Sequence, residues 1–328
     1  MAIYNGGSEA EVFETAAGNS FAQSTQAGTF EANLSRGAML VTRAVSEIIM
    51  PFKQTLTDVW VHFHLYQEDV EALDSYIIFE DASQTTPAYR IDVSVAGNWS
   101  VLKYKSGAWS AALATSAAPV LVNGSADIDI HINRHLTTGS IDIYKDGVSV
   151  LSYSGDTDTD IAPASVHFRG LTTNAREMFV SQVIVADVDT KGWKLQTHSP
   201  DGAGTNGSWT NDYTAVDEFV YDPNDYIETN TANQLETMNV TDINAAYSTY
   251  NVQAVIVGSR NANDAGSAVA DVQMVVRTGG TDYSSPNAGL VKDGSDKSVT
   301  HVWETNPNTS SAWTQAEVNG LEAGVKSV

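Results

Sequence analysis

Two histidines, His62 and His64, stand two apart in the run Asp58 to Tyr66, and a strand places such a pair on one face about 7 Å apart. Imidazoles so placed can share a transition metal when a carboxylate or a third imidazole arrives from a neighbouring strand. Asp127, Asp129 and His131 alternate in the same manner and are the candidates for that second strand. The competing reading is a plain polar sheet face with Trp60 and Tyr66 packed beside the histidines. Asp156, Asp158 and Asp160 offer hard oxygen ligands at alternate positions, the spacing that opens calcium loops. Ile161 replaces the glycine of an EF-hand and no Glu closes the loop, which leaves a looser calcium site or solvated turn acids. Flat rings are what sugar faces stack against, so Trp60, Tyr66, Trp99 and Trp109 are the candidates for carbohydrate contact. Core or interface filling is the other use of the same rings.

Other chemistry is missing. Gly202, Gly204 and Gly207 satisfy G-x-G-x-x-G, but no buried strand precedes them and no amphipathic helix follows, so dinucleotide binding is not expected. No nucleophile elbow and no phosphate-binding loop occurs. With no cysteine, thiol nucleophiles, thiolate metal sites and disulfides are excluded together.

The elements that must position these residues are strands. Period-two alternation bounded by Gly, Asn, Asp, Ser and Pro recurs throughout, and helical periodicity is almost absent. Val59, Val61, Phe63 and Leu65 share one face of the first histidine strand; Ile128, Ile130 and Ile132 share one face of the aspartate strand. The opposite faces are expected to meet water or a partner. Residues 126 to 151, turning at Asp146-Gly147, read as a three-stranded meander. The nearly all-apolar run Phe179 to Ala186 reads as a central strand. Residues 191–212, rich in Gly, Ser, Thr and Asn, read as a linker between a domain at 1–190 and a second at 213–328. In the second, 250–257 and 268–277 read as a hairpin across the turn 261–266, with a further reversal at Gly279-Gly280. Thr314 and Glu317 form a capping box ahead of Val318, Leu321 and Val325, with Gly324 at the stop, which predicts a short terminal helix. The first thirty residues, with Phe13, Phe21 and Phe30, read as an edge strand or as an arm ordered by a neighbouring subunit. The fold class is therefore all-β: two β-sandwich, jelly-roll-like domains with a short C-terminal helix.

Length and charge bound the partners. The 328 residues suffice for two real cores. A net charge of −23 without a basic cluster argues against nucleic acid and against an anionic membrane surface. No apolar run approaches a membrane span, and Met1 to Glu11 lacks the regions of a secretory signal, so synthesis and folding in a cytosol are expected. The acids fall on polar strand faces and in turns, as at Asp127, Asp129 and Asp142, and read as a solvated skin.

With the strands placed, residues 1–190 resemble a concanavalin A-like or laminin-G-like jelly roll. The resemblance is carried by the meander Ala126 to Asp156 and by the closing strand Phe179 to Asp187. The glucanases of that superfamily carry two glutamates around an aspartate on the catalytic strand. Asp127-Ile128-Asp129 lacks both, so glycosidase activity is not expected. The last 26 residues, with Trp303-Glu304-Thr305-Asn306-Pro307 and Trp313-Thr314-Gln315-Ala316-Glu317, resemble a C-terminal segment of tailed-bacteriophage structural proteins. That resemblance implies a non-enzymatic virion component, on tail or capsid, assembled in the host cytoplasm. Its expected partners are copies of itself and other virion proteins, with host glycans as possible contacts and no cofactor beyond a possible calcium ion. A carbohydrate-binding module is the alternative, and a polysaccharide-degrading enzyme a further one.

Overall fold

A computed structural model describes residues 1–15, 23–41, 47–68, 74–94, 96–169 and 178–328. Phe21 lies outside them. Two compact units divide the chain, one of 1–9 and 13–195, the other of 10–12 and 196–328.

The N-terminal unit is built from two antiparallel sheets. In the first, the order is Val148–Gly155, Gly139–Lys145, Gly124–Asn133, Asp58–Gln67, Met178–Ala186, Ala38–Val41 and Gln23–Ser24, with Ile3–Gly7 also paired to Met178–Ala186. The run Met178–Ala186 is buried along its whole length, as a strand covered on both faces must be. In the second, the order is Ala108–Trp109, Trp99–Lys105, Pro87–Val93, Asp74–Glu80, Ser165–Arg169, Glu47–Pro51 and Glu14–Thr15; Ala114–Thr115 also pairs with Trp99–Lys105. The inner faces interdigitate: Phe63 of the first sheet meets Phe168 of the second edge to face, centroids 5.0 Å apart. Alternation explains the layering, since Val59, Val61, Phe63 and Leu65 are buried inward and the residues between them must point out. The meander forms as its pattern predicts, turning through Asp146 and Gly147 at φ 50° and 75°. That pair of positive φ values is the tight hairpin turn an Asp-Gly step favours.

The second unit has a six-stranded sheet, ordered Pro200–Gly207, Leu235–Val240, Glu322–Ser327, Asp271–Thr278 and Thr281–Ser284, with Ala288–Gly289 beside Asp271–Thr278. A two-stranded sheet pairs Val255–Ala262 with Asp296–Trp303. Val272, Met274 and Val276 from the larger sheet, Val299 and Trp303 from the smaller, and Trp313 and Val318 share one core.

Three expectations change here. The stretch 191–212 is not a bare linker, because Pro200–Gly207 is an edge strand on Leu235–Val240, where a Cβ at Gly204 would meet Thr237 O at 2.3 Å. The expected hairpin of 250–257 with 268–277 does not form, because the chain changes sheets between Val255–Ala262 and Asp271–Thr278. The helix is only Gln315–Asn319, and Leu321, Gly324 and Val325 belong to the strand that follows or its approach. Its capping box is present: Thr314 accepts from the Glu317 amide while the Glu317 carboxylate accepts from the Thr314 amide. Thr314→Ala removes that cap and is expected to destabilise the second unit by about 1 kcal/mol, checked by calorimetry of that unit's transition.

Candidate functional site

The outer face of the first sheet brings the histidine and aspartate strands together. Asp58–Gln67 pairs with Gly124–Asn133 so that Trp60 faces His131, His62 faces Asp129 and His64 faces Asp127. His62 Nδ1 donates to Asp129 Oδ1 at 2.9 Å, and the Thr190 hydroxyl donates to the same oxygen at 2.7 Å. His62 is 0% exposed and Asp129 1%, so here the face expected to meet water or a partner is shielded from water. Thr190, Lys191 and Lys194, from the end of the unit, cover it instead. His62 Nε2 and Asp129 Oδ2 are buried without a hydrogen-bond partner.

One residue pair further along, His64 Nδ1 lies 2.9 Å from Asp127 Oδ1. Lys194 Nζ donates to Asp127 Oδ2 at 2.7 Å and to both Glu31 oxygens at 3.0 and 2.9 Å. Burial disfavours the Asp127 charge, yet hydrogen bonds from His64 and Lys194 hold its carboxyl well below the ordinary carboxylate range. Burial likewise works against the Lys194 ammonium, and its bonds to Asp127 and Glu31 overcome that and raise it above its ordinary value. Donor atoms of Glu31, His64 and Asp127 lie within 4.8 Å of one another, the one such group of potential metal ligands among the described residues. His131 stands apart from it, stacked on Trp60 at 4.4 Å and bonded to Asp58 at 2.9 Å. The reading of Asp127 and Asp129 as solvated skin is thus corrected: both belong to a covered network.

The sequence-chosen aromatics have four different fates. Trp99, 1% exposed, is in the sandwich core and offers no face to a ligand. Trp60 is 9% exposed, stacked with His131 and Tyr144 beneath Lys191 Nζ. Tyr66 packs edge to face on Phe179. Trp109 is half-buried on the outer face of the second sheet, against Tyr104 at 5.2 Å, with the Arg90 guanidinium 4.6 Å over its ring.

The loop acids do not converge on a shared ion. Asp156 pairs with Lys103 at 2.8 Å, Asp158 with Lys105 and Arg134 at 2.9 and 2.7 Å, and Asp160 accepts from the Ser106 amide at 2.6 Å. The bond from Lys103 lowers the Asp156 carboxyl, and that from Lys105 lowers Asp158. These bonds tie the loop to the hairpin at 103–107, so the acids are partnered by side chains and backbone and are not simply solvated turn acids.

A cleft of about 350 Å³ opens beside Trp109, lined by Ile78, Glu80, Gln84, Thr85, Arg90 and Arg169 among others. Arg169 bridges Glu47 at 2.7 Å and Glu80 at 3.1 Å, and His167 Nδ1 lies 2.6 Å from Glu47. Burial pushes the Glu80 carboxyl up, more than His167 and Arg169 bring it down. Glu47, although burial opposes it, is drawn down by its bonds with His167 and Arg169. Glu80 Oε2 and Arg90 Nε are shielded and lack a hydrogen-bond partner. The sequence pointed to Trp109 alone; Glu80, Arg90 and Arg169 reach it only through the order of the second sheet.

No family model and no curated protein matches the chain. Among solved structures, a Caenorhabditis elegans galectin is similar at 12% identity and TM-score 0.34, over 45% of this chain and 95% of that one. A cellulose-induced protein matches at 12% identity and TM-score 0.38, over 54% and 90%. The binding domain of botulinum neurotoxin DC in complex with SialylT matches at 10% identity and TM-score 0.42, over 98% and 80%. The virion setting implied by residues 303–328 is supported by none of these matches.

Proposed function

We propose that this protein is a carbohydrate-binding module whose N-terminal unit takes a glycan in the cleft beside Trp109, without breaking bonds. The observation that carries this is one indole set among hydrogen-bonding side chains, Glu80, Gln84, Thr85, Arg90 and Arg169, in one cleft. A sugar presents an apolar face and a rim of hydroxyls. The indole suits the first, and carboxylate, amide and guanidinium groups suit the second. Glu80 Oε2, 3.7 Å from His167 Nε2, and Arg90 Nε each lack a hydrogen bond, and a ligand hydroxyl reached by a small side-chain rotation would supply one.

The test is a glycan array followed by calorimetric titration of any hit. Trp109→Ala is expected to weaken binding about tenfold or more, the loss typical of a central aromatic anchor. Trp60→Ala, which alters the covered face of the other sheet, leaves it unchanged. A blank array, or a hit indifferent to Trp109, removes the reading.

A further inference from the structure

Glu31, His64 and Asp127 come from three separate stretches of chain, and their donor atoms gather within 4.8 Å around a cation the chain itself supplies, Lys194 Nζ. The geometry points to a divalent transition-metal site in which Lys194 is the resident stand-in, the lysine and the metal excluding one another.

Ligand type is the first support. One imidazole nitrogen and two carboxylate oxygens are the donor set that holds Zn²⁺ and its neighbours, at about 2.0–2.2 Å each. Donors around such an ion stand roughly 3–3.5 Å apart. Closing from the present spread takes rotation of Glu31 and Asp127, whose side chains are only partly buried. Charge is the second. Two carboxylates face one ammonium. A divalent ion balances both carboxylates outright.

The third support is independent of the cluster. Gln182 is fully buried, and its amide lies against the site with Nε2 donating to Glu31 Oε2 at 2.7 Å, yet its Oε1 has no hydrogen-bond partner. Ser181, fully buried and in register with His64, has an Oγ equally without one. Two buried oxygens on the residues next to Glu31 and His64 therefore lack hydrogen-bond partners. Gln182 sits at φ 55°, where the pairing of Met178–Ala186 with Asp58–Gln67 shifts register, the kind of bulge that re-aims a side chain.

Lys194 is the last anchor of the covering stretch, after Thr190 on Asp129 and Lys191 over the Tyr144 ring at 4.1 Å. A metal that takes its place frees that end of the cover.

The experiment uses tag-free full chain, stripped with chelator and titrated with Zn²⁺ alone, with Co²⁺ absorption as a second readout of inner-sphere nitrogen and oxygen ligation. Lys194→Met is expected to bind one Zn²⁺ per chain at least tenfold more tightly than the parent and to develop a Co²⁺ ligand-field band. His64→Ala added to Lys194→Met abolishes both. Equal affinity of parent and Lys194→Met, or a band that survives His64→Ala, overturns the proposal. Should Lys194→Met fail to fold, the parent is compared with Asp127→Asn at high Zn²⁺: one site present in the parent and lost in the variant supports the proposal, and equal binding overturns it.

Discussion

Asp129→Ala is expected to lower the stability of the N-terminal unit by about 2–5 kcal/mol, because it strands two buried donors at once. His62 Nδ1 and the Thr190 hydroxyl both point at Asp129 Oδ1, and all three residues are shielded from water. Removing the acceptor leaves each donor to bear its desolvation without compensation, and opens a small void beneath the cover. For a unit of this size, 1 kcal/mol moves the midpoint by about 2–4 °C, so a drop of roughly 5–15 °C should appear in the calorimetric transition. Asp129→Asn keeps an oxygen able to accept and should lose less than half as much. Equal losses in the two variants would show that the effect is one of shape and not of hydrogen bonding.

Gly324→Ala should be nearly as damaging, although it adds a single methyl group. Gly324 lies in Glu322–Ser327, between Leu235–Val240 and Asp271–Thr278, in register with Thr237 on one side and Val275 on the other. A Cβ there would meet Glu236 O at 1.9 Å and Thr237 Cα at 2.8 Å, both backbone atoms that cannot swing away. The strand must shift, and with backbone atoms in the way the cost is expected at the upper end of the usual range for overpacking, about 3 kcal/mol. The expected result is loss of the second unit's transition at its normal temperature while the first unit's transition stays in place. Gly280→Ala makes the contrast: nothing lies within 4 Å of its Cβ, so only the φ of 80° is strained, and a loss of about 1 kcal/mol is expected. An Ala at 324 no worse than an Ala at 280 would mean that the sheet yields at that point.

Gly324 also marks where the sequence misleads. Its distance from the capping box suited a helix stop, and Val318, Leu321 and Val325 had helical spacing, yet the helix ends at Asn319. A strand need not announce itself by alternation when its neighbours demand a bare backbone. The same reason hid Pro200–Gly207, whose glycines looked like a linker. Where one face is apolar and one polar the pattern was plain, as in Asp58–Gln67 and Gly124–Asn133. Their alternation placed the imidazoles and carboxylates on outward faces, and only the pairing register was missing. Trp99 was misjudged because Val101 and Trp99 share a face, inward here, while Tyr104 and Trp109 look out. Glu31, Thr190 and Lys194 carried no local signal, since their meaning depends on contacts more than 60 residues away.

The pairing of Ile3–Gly7 with Met178–Ala186 has a temporal side. At a ribosomal pace of about 5–20 residues per second, the earliest strand waits roughly ten to forty seconds for its partner to be made. Asp58–Gln67 waits for the same partner on one side, and for Gly124–Asn133 on the other. Throughout that interval Val59, Val61, Phe63 and Leu65 have no completed sheet to lie in. A truncation that stops before residue 178 removes the strand all of them are waiting for.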